Sequence, residues 1–507
     1  MPNTLPNAIV DLAQTGADDT HRELKRGAWL NTLAMMTSNF RAIFTILIAR
    51  LLGPVSLGLF SVAWGATDWI SKLGVIGLDD GVTTFVARAN ASGDKFLARR
   101  LLRIAAGLSV TLSFVVATLS ILALRFFGSR LRLQPELVSA LSVILFALPG
   151  IALYRISTSV SRGMKVMEHD IYSRGFTESG VTTLAFLAAF ALGSRIFAPE
   201  IAAIVGTWAS GLVAFALASG LFRHLPNETR ARSTSTLARD LLSFSLPIGA
   251  DQFLNAFIWR IDVILLGCLV NRVPGVTLTT LGIYGAVVGL ANGLRKVSQA
   301  FTPIFTPVVA GMTATGAHDR AMATYAQLAQ WMLWILLPFV FVLAIAGNTI
   351  LLVFGQTFQN GSQWLAIVTI ACATNAFITL GETVIMVQRP RLNLLNSFIT
   401  CIAGFVITYM SILYFGVLGA ALGILATYLI QGVIRNLMLR FVFHWHNPWH
   451  NVSPPILAAV AAGIPAMALR VIWHGSAGQL AAVATFLLIF GFEWNRHRSL
   501  RIRLTNA

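Results

Sequence analysis

The chain has 507 residues, 56% of them hydrophobic and 11% charged, with 37 Lys and Arg against 20 Asp and Glu. Soluble domains carry about 25% charged residues, so this composition cannot furnish a water-facing surface, and a soluble globular protein is excluded. The formal charge of +17 would suit nucleic acid. The bases are dispersed between apolar runs, however, and loops facing an anionic leaflet account for them, so no nucleic-acid partner is expected.

Residues 1–26 are polar and include Asp11, Asp18, Asp19 and Glu23, which is not the layout of a cleavable signal; a short cytoplasmic tail is expected. Apolar runs of about 20 residues, each enough to cross a hydrocarbon core of about 30 Å, follow near 27–51, 55–77, 101–127, 137–160, 175–193, 199–222, 241–270, 281–303, 322–346, 362–387, 392–414, 417–441, 453–473 and 477–494. Lipid offers no partner to an unpaired amide. The pattern therefore predicts an all-α polytopic membrane protein with about 14 transmembrane helices.

Loops on the N-terminal side of the membrane hold 24 Lys and Arg, and loops on the other side hold 7. The excess puts both termini in the cytoplasm, although Arg125, Arg130 and Arg132 run against it. The external loops are too short to fold alone. Cys268, Cys372 and Cys401 lie in apolar runs without ligand spacing, so neither a disulfide frame nor a metal site is expected. A P-loop is absent, and no cofactor is implied.

A shift of 224 residues aligns Gly58 with Gly282, Phe60 with Tyr284, Gly65 with Gly289 and Lys72 with Lys296, and sets Asp68 on Asn292. The natural division is a six-helix bundle at 27–222, a basic linker at 223–240 and a second six-helix bundle at 241–441. Two additional helices within 442–494 and a basic tail at 495–507 complete it. An even number of spans makes the repeats parallel, related by a pseudo-two-fold along the membrane normal, as in transporters that rock two halves about a central site.

Six cations fall inside the spans: Arg41, Lys72, Arg155, Arg260, Arg295 and Lys296. Each costs about 2.5–3.5 kcal/mol at the bilayer centre. Arg41 and Arg260 lie near mid-depth, whereas Lys72 and Arg155, about 7.5 Å along a helix from its end, can snorkel. Asp68 and Lys72 are spaced i,i+4 and can neutralise one another; the second copy keeps the cation and replaces the acid. The first, second, seventh and eighth spans thus supply Arg41, Lys72, Arg260, Arg295 and Lys296. Facing one cavity, they would make it electropositive and suited to a phosphate. Asp68, Asp262 and Glu382 are the candidates for ion coupling.

"IARLLGPVSLGLFSVA" from Ile48, "LGVIGLDDGVTTFVAR" from Leu73, "LLSFSLPIGADQFLN" from Leu241, and "IDVILLGCLV" followed by "LGIYGAVVGL" resemble the bacterial polysaccharide (O-antigen type) flippases. These belong to the multidrug/oligosaccharidyl-lipid/polysaccharide exporter superfamily. The resemblance covers about 27–445. It implies two six-helix bundles in a V and a cargo of undecaprenyl-pyrophosphate-linked oligosaccharide, turned from the cytoplasmic to the external leaflet of the bacterial inner membrane. The cargo would serve O-antigen, lipopolysaccharide, capsule or exopolysaccharide synthesis. A glycan polymerase and a chain-length regulator are the candidate partners of what is expected to be a monomer. The family's cavity cations map onto Arg41, Lys72, Arg260 and Lys296.

Three alternatives stand beside this reading. A multidrug or cation antiporter of the same superfamily should present an acidic cavity, usually in twelve spans. A peptidoglycan precursor flippase handles the same pyrophosphate carrier, and nothing in the sequence reads the sugar. A membrane glycan polymerase would need a long external loop. The enzymatic cluster "HWHNPWH", with His444, His446 and His450, lacks a neighbouring carboxylate, and its Trp445 and Trp449 suit an interfacial belt. No catalytic residue is assigned, and an enzyme is not expected.

Overall fold

The computed structural model describes residues 40–505 except 226–233, 315–317, 446–448 and 474. The polar tail at 1–26, the middle of the basic linker and His446 lie outside the described residues. Among those described, the chain is 88% helical with no strand.

In chain order the helices are α1 (Phe40–Val75), α2 (Leu78–Ala91), α3 (Lys95–Phe127), α4 (Pro135–Ile144), α5 (Leu148–Gly163), α6 (Ser179–Ala191), α7 (Ala198–Gly220) and α8 (Thr234–Ile258). They continue as α9 (Ile261–Cys268), α10 (Leu278–Ala291), α11 (Arg295–Ala314), α12 (His318–Ile345), α13 (Ser362–Gln388), α14 (Pro390–Phe441), α15 (Trp449–Ile472) and α16 (Ser476–Thr505).

Among the described residues, ten helical stretches are long and apolar enough to cross a membrane. Two of them, α1 and α14, are hairpins. At Gly53 the backbone turns through φ 82°, a conformation open to glycine, and Pro54 starts the return arm; Phe44 on one arm packs edge-on against Phe60 on the other at 5.3 Å. Gly416, at φ 59°, does the same in α14, where Thr408 and Thr427 face each other across the hairpin at 3.5 Å. Each hairpin makes two passes. Two further passes are interrupted helices, a π-helix at Ile171–Glu178 running into α6, and α10 joined to α11 through a 3-10 turn at Asn292–Leu294. Ten stretches with two doubled, plus these two, give fourteen passes among the described residues. α11 continues through Pro303 and Pro307 to Ala314, beyond the end of the apolar run.

The 224-residue repeat has a physical counterpart where α1 meets α10. A Cβ added to Gly58 would lie 2.7 Å from the carbonyl oxygen of Leu278, and one added to Gly282 would collide with the backbone of Pro54. Leu278 and Gly282 stand 224 positions after Pro54 and Gly58. Each glycine therefore meets the residue four before its own counterpart, as a two-fold axis through the contact requires. Ser61 and Gly285, again 224 apart, touch each other on the same line. Small residues let membrane helices approach to backbone contact, where packing rather than the hydrophobic effect holds them.

At the same end Arg50 donates to the carbonyls of Leu352 and Val353, both at 2.7 Å, tying the first bundle to the loop before α13. Toward the other end, Trp69 of α1 stacks on Phe253 and Phe257 of α8 at 5.1 and 4.7 Å. The return arm of α1 is thus wedged between α10 and α8. The last two helices lean on α12, with Phe341 stacked on Phe486 at 3.6 Å.

Gly282→Val should overpack the α1–α10 crossing and cost about 1–3 kcal/mol, read as a lower thermal midpoint of the purified protein. Gly289→Val, whose Cβ would meet nothing within 4 Å, should be silent in the same measurement.

Candidate functional site

A set of ionised side chains lies where α1 and α8 meet. The Asp68 carboxylate accepts from Arg155 of α5 at 3.4 Å and from Arg260 at 3.2 Å. Arg155 also faces Asp79 at 3.9 Å. The Lys72 ammonium donates to Gln252 at 3.5 Å, and the Gln252 amide donates to Asp80 at 2.8 Å and Asp79 at 3.4 Å. Asp68, Lys72, Asp79, Asp80 and Arg155 come from the first bundle, Gln252 and Arg260 from the second. Three cations and three carboxylates balance formally, which lowers the cost of holding them at membrane depth. The side chains of Asp68, Arg155 and Arg260 keep 28%, 19% and 23% exposure, so this is a wetted cluster rather than a sealed one.

Local backbone explains how Arg260 reaches it. The seventh pass breaks at Trp259–Arg260 and resumes as α9, with Arg260 in a non-helical conformation (φ −123°, ψ 1°) just before α9. A residue at a break projects differently from one inside a regular helix. The expected pairing of Asp68 with Lys72 does not form: two guanidiniums take the carboxylate, and Lys72 turns to Gln252. A charge-assisted bond from a planar fork explains that preference.

Of the five cations expected to share one chamber, the four whose side chains are described occupy different surroundings. Lys72 and Arg260 belong to the seam cluster. Arg295, first residue of α11, is packed between the Trp259 and Tyr428 rings at 5.7 and 5.2 Å and is hydrogen-bonded to the Tyr428 hydroxyl; its guanidinium is held by aromatic faces. Lys296 is half-buried. The Arg41 side chain lies outside the described residues. Of the three acids assigned to ion coupling, Asp68 is in the seam. Asp262 is buried and accepts from the Tyr284 hydroxyl at 2.7 Å. Glu382 pairs with Arg435 at 2.8 Å.

Arg435 corrects the loop count made from the sequence. Counted there among cytoplasmic loop residues, it is only 2% exposed, inside the second arm of α14. Near the end of an apolar run it reads as interfacial; its partner, on another helix, is invisible to hydropathy. Asp251 likewise reads from the sequence only as a carboxylate at membrane depth. It accepts from Ser397 at 2.7 Å and Asn393 at 3.1 Å, so α8 and α14 share a second polar cluster. Arg174, also counted as a loop residue, sits on the π-helix with its guanidinium over the Tyr154 ring at 5.9 Å, and Tyr154 donates to Asp170 at 3.0 Å. Among the described residues no group of His, Cys, Asp and Glu is arranged to hold a metal ion.

A multi-pass helical protein with parallel repeats and ionised groups in their seam has the architecture of a membrane transporter. The model of the family described as "Polysaccharide biosynthesis protein" matches residues 24–312, more than half of the chain, and the chain belongs to that family. Among curated proteins none matches the chain. Among solved structures, an inward-facing multidrug resistance MATE family transporter of the MOP superfamily is similar at a TM-score of 0.66 and 14% identity, covering 82% of this chain and 94% of its own. The lipid II flippase MurJ in an inward closed conformation gives 0.64 and 12%, covering 94% and 98%. A single-residue variant of the Vibrio cholerae MATE transporter VcmN gives 0.58 and 14%, covering 86% and 100%. At such identities the likeness is one of fold. These neighbours are described as transporters and a flippase, and the chain shares their fold.

Arg435→Leu should strand the Glu382 carboxylate and destabilise the protein by about 3–5 kcal/mol. The double variant Arg435→Leu/Glu382→Leu should recover most of that loss in thermal unfolding; a double variant no more stable than the single one would show that the pair does not act as a unit.

Proposed function

We propose that the protein is a flippase that moves an undecaprenyl-pyrophosphate-linked oligosaccharide from the cytoplasmic to the external leaflet of the inner membrane, for synthesis of a surface polysaccharide. Family membership and the shared fold support the class. The observation that carries the site is Asp68 held by two arginines, one from each bundle. Two guanidiniums that already grip one anion form a ready receptor for a diphosphate, whose oxygens match the same forks.

On this reading Asp68 occupies the Arg155 and Arg260 forks while no cargo is bound, and the diphosphate displaces it. Because the arginines belong to different bundles, the exchange couples binding to the contact between them, as alternating access about a central site requires. The lipid tail stays in the bilayer while headgroup and sugars cross within the protein. Lys72 and Lys296, equivalent in the repeat, and Arg295 complete the set of cations proposed for substrate binding, together with Arg41. Asp68, Asp262 and Glu382 remain the proposed ion-coupling acids, and the distribution of basic loops supports cytoplasmic termini.

A peptidoglycan precursor flippase is the second reading. What favours it is coverage: the MurJ structure matches 94% of this chain, the MATE transporter 82%.

Deleting the gene should make lipid-linked repeat units accumulate on the cytoplasmic face. Drug sensitivity with normal surface glycan would point to an antiporter, and loss of peptidoglycan precursor export to the second reading. Arg155→Ala and Arg260→Ala should each lower transport by about tenfold or more, the size of a lost charge-assisted hydrogen bond, without loss of membrane insertion. Full activity in both would remove the seam as the cargo site. Amide replacement at Asp68, Asp262 and Glu382, taken one at a time, should abolish ion dependence in at least one case; unchanged transport in all three removes them from coupling.

A further inference from the structure

Away from the seam, the first turns of α3 and the end of α7 enclose a cavity of about 340 Å³. Arg99, Arg103 and Arg223 line it, beside a floor that includes Leu102, Phe215 and Phe222. Arg103 and Arg223 are exposed, and among the described residues neither has an ion pair. Arg99 donates one N–H to the Leu225 carbonyl at 3.2 Å and keeps the remainder of its fork.

These charges stand where a helix least tolerates them. Lys95, Arg99 and Arg103 follow at i, i+4 and i+8 along one stripe of α3, so each repels the next. Lys95, in the first turn, also sits at the positive end of the helix dipole. The first turn of α3 holds no acidic residue. Asp94, just before it, is committed to capping the Leu97 amide at 2.9 Å. An anion in the cavity relieves the repulsion between Arg99 and Arg103. At the end of α7, a Cβ added to Gly220 would meet nothing within 4 Å, so this side of the cavity is open.

Guanidinium forks select phosphate over a diffuse negative surface, and basic pockets between transmembrane helices at the bilayer edge take lipid headgroups. The apolar floor narrows the choice, since Leu102, Phe215 and Phe222 offer nothing to a bare ion but a surface to glycerol and acyl carbons. We propose that this cavity binds the phosphate of an anionic glycerophospholipid from the surrounding bilayer, at a site made of residues outside the seam cluster and independent of the cargo.

Native mass spectrometry of the full-length protein, released from vesicles of phosphatidylcholine mixed with phosphatidylglycerol or cardiolipin, tests it. The anionic lipid should be retained in preference to phosphatidylcholine. Arg103→Ala and Arg223→Ala should each weaken retention about fivefold, the effect of one basic residue near a charged bilayer. Gly220→Trp should block the site with no change in charge. Thermal unfolding reports whether each variant remains folded. Retention unchanged in the arginine variants and in Gly220→Trp overturns the proposal. So does inorganic phosphate that displaces the lipid at millimolar concentration, which would make the cavity a site for the free anion.

Discussion

The Asp68 carboxylate joins the two bundles: Arg155 reaches it from one and Arg260 from the other. In a membrane interior an ion without partners is expelled or neutralised, so the positions of these groups constrain one another. Removing any member leaves a charge that hydrocarbon cannot solvate. Lys72, Asp79, Asp80 and Gln252 extend the set until its charges balance, and Trp69, packed on the Phe253 and Phe257 rings, lies beside it. The glycine crossing of α1 and α10 brings the bundles to backbone contact at one end. Ion pairing and close packing thus divide the seam between them.

That balance changes what the seam offers to a cargo. A net positive chamber would attract any anion and release it slowly. A compensated one resists anions that cannot outcompete an internal carboxylate, and after release the carboxylate returns to its forks. For the proposed flippase this resolves a conflict between grip and turnover, because differential binding between states, rather than tight binding in one, shifts a two-state equilibrium. Asp68 at 28% exposure is held firmly enough to order the site and openly enough to be displaced.

The passes were legible because hydropathy integrates over about 20 residues and lipid permits few alternatives to a helix. Even the turn at Gly53–Pro54 and the boundary near Gly416 fall between the apolar runs. The 224-residue repeat was legible in Gly58 and Gly282, whose mutual contact no hydropathy window contains. What could not be read was pairing. Asp68 and Lys72 satisfy the helix spacing for an ion pair, yet Arg155 and Arg260, 87 and 192 positions away, take the carboxylate. A loop count wrongly includes Arg435 for the same reason, since a single sequence shows a cation near a span end and not the Glu382 that draws it inward.

Three irregular stretches of backbone also coincide with ionised groups. Arg260 stands at the break before α9, Arg295 directly after the 3-10 turn, and Arg174 within the π-helix. Non-helical backbone at membrane depth survives only where protein or water satisfies its freed amides and carbonyls, the same environment an ionised side chain requires. A break therefore costs least where charge is already solvated, and charge costs least where a break widens the space around it. Each makes the other tolerable, which accounts for their shared positions without assigning priority to either. The same logic explains why the hairpin turn at Gly53, which lies at a bundle end, carries no such group at the turn itself: there water does the solvating, and glycine and proline suffice.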